Sequence, residues 1–189
     1  MNEIIKEKER EFLMSLARRV IESKKKIEPE KDVFDNYDPI LNKSMGGFVT
    51  LHKNSLLRGC IGYILPINPV YKTIINNAYN AAYSDPRFTP VKPEEFDEIK
   101  IEISILTEPV TIKFESSAEL LMRLKPGLHG VIIKKNYHSA TFLPQVWDQL
   151  TSKEDFLSHL CIKAGLREDE WRNIEGLEVE VYQAQVFSE

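Results

Sequence analysis

Apolar residues in the first thirty positions recur at Phe12, Leu13, Leu16, Ala17, Val20 and Ile21, with Glu, Lys and Arg between them. This spacing puts one stripe against a core and predicts an amphipathic helix over about residues 3–26, ending on Lys24, Lys25 and Lys26, where cations complement the helix dipole. After Pro29 the pattern dissolves into the polar connection "DNYDPILNKSMGG". "GFVTLHK" and "LLRGCIGYI" then flank the short polar turn "KNS", and their β-branched and aromatic residues predict an antiparallel hairpin. "NPVYKTIINNAYNAAYS" returns to helical spacing, with Asn68 as N-cap, Pro69 at the first helical position and Tyr71, Ile74, Ile75, Ala78 and Ala82 on one face. The prolines of "DPRFTPVKPEEF" predict a braced loop with one helical turn. "IKIEISIL" alternates strictly, with Ile99, Ile101, Ile103 and Ile105 opposed to Lys100, Glu102 and Ser104, a strand with one buried and one wetter face.

The second half repeats the mixture. A short strand at "VTIKF" and a helix at "SAELLMRL" lead through "KPGLHG" to a hairpin of "VIIKK" and "HSATFLP" turning at "NY". "TSKEDFLSHLCIKAG" has Thr151 and Glu154 at capping-box spacing and Gly165 at the C-terminal cap position. "LEVEVYQAQVF" alternates at Leu177, Val179 and Val181, then shifts phase near Gln183, which predicts a bulge. Strands arrive as neighbours and hairpins rather than in regular alternation with helices. The fold class is therefore α+β, a largely antiparallel mixed sheet with packed helices.

At 189 residues and 42% hydrophobic composition, the chain suits one domain over 1–189, or one domain divided into a larger and a smaller lobe. A formal net charge of -4 with interspersed signs argues against a basic DNA-binding stripe. The charged N-terminus is unlike a signal peptide and no apolar run has membrane-spanning length, so the expectation is a cytoplasmic protein without a membrane partner. Cys60 and Cys161 form no CxxC pair, and His52, His129, His138 and His159 show neither HxxxH nor HExxH spacing, so no metal site is expected. The absence of a Walker loop, GxSxG and GxGxxG leaves no cofactor predicted.

Candidate chemistry concentrates in "SLLRGCIGYIL", where a polar pair sits among apolar residues and glycines. In a regular strand Arg58 and Cys60 share a face with Cα atoms about 6 to 7 Å apart, so the guanidinium would favour the thiolate. Gly59 and Gly62 would clear the backbone for a substrate. The competing reading makes Cys60 a small buried hydrophobe and the glycines mere bulge markers. Cys161, on an apolar helix stripe with Leu157, Leu160 and Ala164, reads as core. In "SDPRF", Asp85 and Arg87 either brace their own turn or offer an arginine fork to an anionic group. His129, in the turn "LHG", is a candidate general base or a turn hydrogen-bonding group.

Taken together, "FVTLHKNSLLRGCIG", "AAYSDPRFTPV", "IEISIL", "HGVII", "FLPQVW", "FLSHLCIKAGL" and "VEVYQAQVF" resemble, in order, the AmmeMemoRadiSam system protein A family, also called the AMMECR domain family, from about residue 10 onward. The resemblance implies an α+β fold in two lobes around a cleft, to which the "LRGCIG" hallmark from Leu57 to Gly62 contributes. It carries over Asp85, Arg87 and Phe88 as the second motif, His129 and Gly130 as the third, and Pro144 and Gln145 as the fourth. Cys60, Arg58, Asp85 and His129 become the candidate catalytic residues, and Arg87, Gly59, Gly62, Phe88 and Gln145 the substrate-binding ones. Trp147 departs from the small residue common after "LPQV" and is expected to narrow that side of the pocket. Such proteins are associated with a Memo-like protein and a radical S-adenosylmethionine (radical SAM) enzyme. The implied role is a component of their modification pathway, a cysteine-dependent enzyme or accessory subunit with a small anionic or RNA-derived substrate. The alternative is a non-catalytic binding or scaffold module that recognises a partner protein or RNA. Either is compatible with a homo-oligomer.

Overall fold

The first apolar stripe folds as α1 (Glu7–Ser23) in the computed structural model, which describes residues 4–189. The expected start at residue 3 lies outside the described residues. The helix closes at Ser23 because Lys24 turns left-handed, φ 55°, and donates its N–H to the Ile21 carbonyl; Lys25 and Lys26 lie past the end. The chain continues as β1 (Gly47–Lys53), β2 (Leu56–Tyr63), α2 (Val70–Tyr83), β3 (Ile99–Leu106), β4 (Val110–Thr111), α3 (Ser117–Arg123), β5 (Gly130–Lys135), β6 (His138–Phe142), α4 (Lys153–Lys163), β7 (Leu177–Tyr182) and β8 (Ala184–Ser188). The class is α+β. Two compact units divide it, one made of the chain up to Glu108 together with Gln185–Glu189, the other of Pro109–Ala184.

In the first unit a four-stranded sheet runs in the order β2-β1-β3-β8. Asn54 and Ser55, at φ 52° and 63°, make the two-residue turn of the β1–β2 hairpin, the left-handed pair that matches strand twist. Val49, Leu51 and the four alternating isoleucines of β3 bury one face against α1 and α2. The start of α2 moves one residue later than expected, to an N-cap at Pro69. Asn68 is already occupied: its carbonyl accepts from the Met45 N–H and the Thr73 hydroxyl, and its amide donates to the Tyr63 hydroxyl. The proline loop carries its expected helical turn at Pro93–Glu98.

The second unit pairs its strands in the order β4-β7-β5-β6 and buries Val131, Ile133 and Val179 against α4, whose Phe156, Leu157, Leu160 and Cys161 face the core. The cap of α4 is Ser152, which accepts the Asp155 N–H at 3.1 Å, so the expected Thr151–Glu154 pair sits one residue too early. Gly165, φ 76°, takes its expected place at the C-terminal end. The phase shift near Gln183 is a change of sheet rather than a bulge, because β7 belongs to the second unit's sheet and β8 to the first.

Candidate functional site

The bulge lies instead in β2. Leu51 pairs with Gly59 but His52 with Leu57, which leaves Arg58 as the extra residue. A regular hairpin from the same turn would set Thr50 against Gly59; the insertion sets it against Cys60 and turns Cys60 to the face away from the helices. Gly59 faces α2, where a Cβ would come 2.2 Å from the Ala81 carbonyl oxygen. A Cβ on Gly62 would lie 2.3 Å from the Phe48 ring, which crosses over that glycine from β1. The protein's own atoms fill both spaces. The expected substrate clearance is therefore corrected to helix-on-strand packing at Gly59 and aromatic cover at Gly62.

β2 is the sheet edge, and an edge strand presents unpaired N–H and C=O groups. At Cys60 both are taken by the "SDPRF" loop. The Asp85 carboxylate accepts the Cys60 N–H at 2.9 Å, and Arg87 Nη2 donates to the Cys60 carbonyl at 3.0 Å, so an acid and a base together stand in for a neighbouring peptide group. The pair is locked to itself, with Arg87 Nε and Nη2 reaching Asp85 at 3.0 and 2.8 Å and the Arg87 N–H at 3.1 Å. Asp85 is 1% exposed, and the hydrogen-bonding guanidinium holds its carboxyl well below the usual carboxylate range. Arg87, 54% exposed, has its pKa raised, chiefly by Asp85 with a smaller contribution from Cys60. Its guanidinium carbon lies 5.5 Å from the centroid of the half-buried Phe88 ring.

The half-buried Cys60 thiol receives the Thr50 hydroxyl at 3.3 Å. Arg58 does not serve it. The bulge sends that guanidinium to Glu95, with Nε and Nη2 each 3.0 Å from one carboxylate oxygen, and Lys53 joins at 3.3 Å. Arg58 and Glu95 are 13% and 16% exposed, and the arginine holds the Glu95 carboxyl down at about 2. The expected pairing of Arg58 with the sulfur is thus replaced by a fork-to-fork ion pair, which satisfies the guanidinium better than a thiol could. The cation near Cys60 is Arg87.

His129 and Gln145 belong to the second unit, whereas Cys60, Asp85 and Arg87 belong to the first. His129 Nδ1 accepts the Lys125 N–H at 3.3 Å, the turn hydrogen bond, and burial, followed by the Lys125 charge, lowers its pKa. Gln145 is exposed on the 3-10 turn Pro144–Asp148. Trp147 is buried, stacks on Phe156 at 3.6 Å and donates Nε1–H to the His129 carbonyl at 2.7 Å. Cys161 is core, its thiol pushed up to about 11 by burial.

Sequence pattern places Glu102 only on the wetter face of β3 and gives Thr50 and Glu95 no role. Thr50 pairs with Cys60 on one side and Glu102 on the other, a row of thiol, hydroxyl and carboxylate across three strands. Glu102 also lines a cavity of about 550 Å³ with His52, Asn54 and Lys100. The signal for this row was the polar phase of β3, but its alignment with Cys60 depends on the bulge. Among the described residues no three His, Cys, Asp or Glu side chains form a metal-holding group, and no helix is long and apolar enough to cross a membrane.

The AMMECR1 family model matches residues 14–187. Protein MK0488 of Methanopyrus kandleri is 41% identical over 201 residues, covering 100% of this chain and 92% of that protein. Protein PYRAB00100 of Pyrococcus abyssi is 42% identical over 199 residues, covering 98% of this chain and 92% of its own length. The crystal structure of the uncharacterized protein PH0010 from Pyrococcus horikoshii superposes with a TM-score of 0.85 at 40% identity, over 99% of this chain and 94% of that one.

Proposed function

The chain belongs to the AMMECR1 family, and from that membership and the surroundings of Cys60 we propose a cysteine-dependent component of a modification pathway shared with Memo-like and radical SAM proteins, with Cys60 as the reacting thiol. One observation carries the reading: Cys60 is fixed at both backbone atoms by Asp85 and Arg87, while its sulfur accepts a hydrogen bond from Thr50. A donor and a cation beside a sulfur favour the thiolate, the form that attacks. Arg87 supports an anionic substrate group. Its side chain is 54% exposed, and the guanidinium has more N–H groups than its bonds to Asp85 and the Cys60 carbonyl use. Family resemblance supplies the pathway. The test is iodoacetamide labelling of the folded chain at neutral pH, with the Cys60 peptide read by mass spectrometry. Labelling faster than a free thiol, with pathway activity lost in Cys60→Ser, is the expected result; labelling no faster than a free thiol overturns the reading.

Exposed Leu56, Leu57, Leu65 and Ile67, at the start of β2 and just after it, favour a second reading, a non-catalytic module that recognises a partner protein. Binding of purified Memo-like and radical SAM proteins separates the two. The module reading requires that Leu56→Ser weaken binding and that Cys60→Ser leave pathway activity intact.

A further inference from the structure

A threonine hydroxyl has one proton to give, and Thr50 has an acceptor on each side. Across one strand boundary stands the Cys60 sulfur, which receives that proton at 3.3 Å. Across the other stands Glu102, whose carboxylate makes no hydrogen bond or ion pair among the described residues. Directly opposed residues hold their Cβ atoms about 4.5–5.5 Å apart, so a change of rotamer at Glu102 brings its carboxylate within reach of the hydroxyl. A sulfur that keeps the donor is stabilised as thiolate; one that loses it to Glu102 is left without a donor on the side where the carboxylate stands.

We infer that Thr50 and Glu102 set the ionisation of the Cys60 thiol in opposite senses, Thr50 as a positioning donor that favours the thiolate and Glu102 as a brake that competes for the same hydroxyl proton. The inference rests on the reading of Cys60 as the reacting thiol and adds how that thiol is regulated. On the Cys60 side of the row, Arg87 and Asp85 clamp the Cys60 backbone, and Arg58 and Lys53 are held by Glu95. On the Glu102 side, His52, Asp97, Glu98, Lys100 and Glu189 line the same cavity, with Glu98 paired to Lys53 and Glu189 to Arg18. On ionisation the thiol proton leaves to bulk water, and the hydroxyl turns its hydrogen to the sulfur.

The experiment measures the pH dependence of iodoacetamide alkylation at the Cys60 peptide in the full chain, for the wild type, Thr50→Val, Thr50→Ser, Glu102→Gln and the Thr50→Val/Glu102→Gln double variant, with urea midpoints as a check on folding. Thr50→Val should raise the alkylation midpoint by about one pH unit, roughly tenfold in rate near neutrality, the scale of a hydrogen bond to a charged group. Thr50→Ser should restore it. Glu102→Gln should move the midpoint down and speed alkylation several-fold, and the gain should shrink when position 50 is valine. A general loosening of the sheet would move both single variants the same way. Unchanged midpoint in Thr50→Val, or Glu102→Gln shifting in the same direction as Thr50→Val, overturns the inference. Because midpoints are read whatever the absolute rate, a wild-type thiol no faster than a free one defeats the proposed function alone.

Discussion

Removing the Asp85 carboxylate tests whether the "SDPRF" loop holds the edge strand. In Asp85→Ala the Cys60 N–H loses its acceptor and Arg87 loses three of its four hydrogen bonds. The ion pair itself contributes little, because Arg87 is 54% exposed and solvent screens it, leaving about 0–1 kcal/mol. The larger effect is the unsatisfied backbone group at the strand edge, about 1–3 kcal/mol. The total is about 1–4 kcal/mol for alanine and about half that for Asp85→Asn, whose amide oxygen still accepts from Cys60. Urea unfolding reads the loss, and amide hydrogen exchange at Cys60 localises it. The pH sign follows from the depressed carboxyl: an unfolded aspartate titrates near about 3.9, so the clamp's contribution is complete above that pH and disappears as pH falls through the lower folded value. The gap between wild type and Asp85→Asn should therefore narrow in strong acid. A wild-type urea midpoint in Asp85→Ala, with unchanged exchange at Cys60, would refute the clamp.

Two further outcomes follow from the same unit. Gly59→Ala should destabilise it by about 1–3 kcal/mol in urea, because the new methyl would meet the Ala81 carbonyl at 2.2 Å and push α2 off β2; a neutral effect would mean the helix yields freely. Glu95→Gln should lower stability at neutral pH by about 1–3 kcal/mol, since it leaves Arg58 short of its carboxylate. That deficit should be full above about pH 4.5 and vanish as pH drops through about 2, which a urea series at stepped pH resolves; a pH-independent deficit contradicts the ion-pair account.

Much of the fold was legible because burial writes itself into periodicity. The isoleucines of β3, the stripe of α1 and the polar turn between β1 and β2 each answer to one local rule. Helix starts at Pro69 and Ser152 slipped by one residue, since a cap is decided by which side chain is already engaged elsewhere. The site was harder. Cys60, Asp85 and Arg87 do come together, but the partner of Arg58 sits 37 residues away and no local pattern names it. A single inserted residue in β2 decides which side chains share a face, and strand periodicity read from sequence assumes that no such insertion exists.

The order in which the chain is made adds a consequence for β8. This strand follows the whole of Pro109–Ala184 in sequence, yet it completes the sheet begun by β1, β2 and β3. While the ribosome is producing the intervening unit, the outer border of β3 has no strand beside it. Closing so long a loop adds only about 0.6 kcal/mol per doubling of its length, so the final joining is thermodynamically easy. Its hazard is one of timing: through that interval the nascent β3 border is open to pairing with another chain.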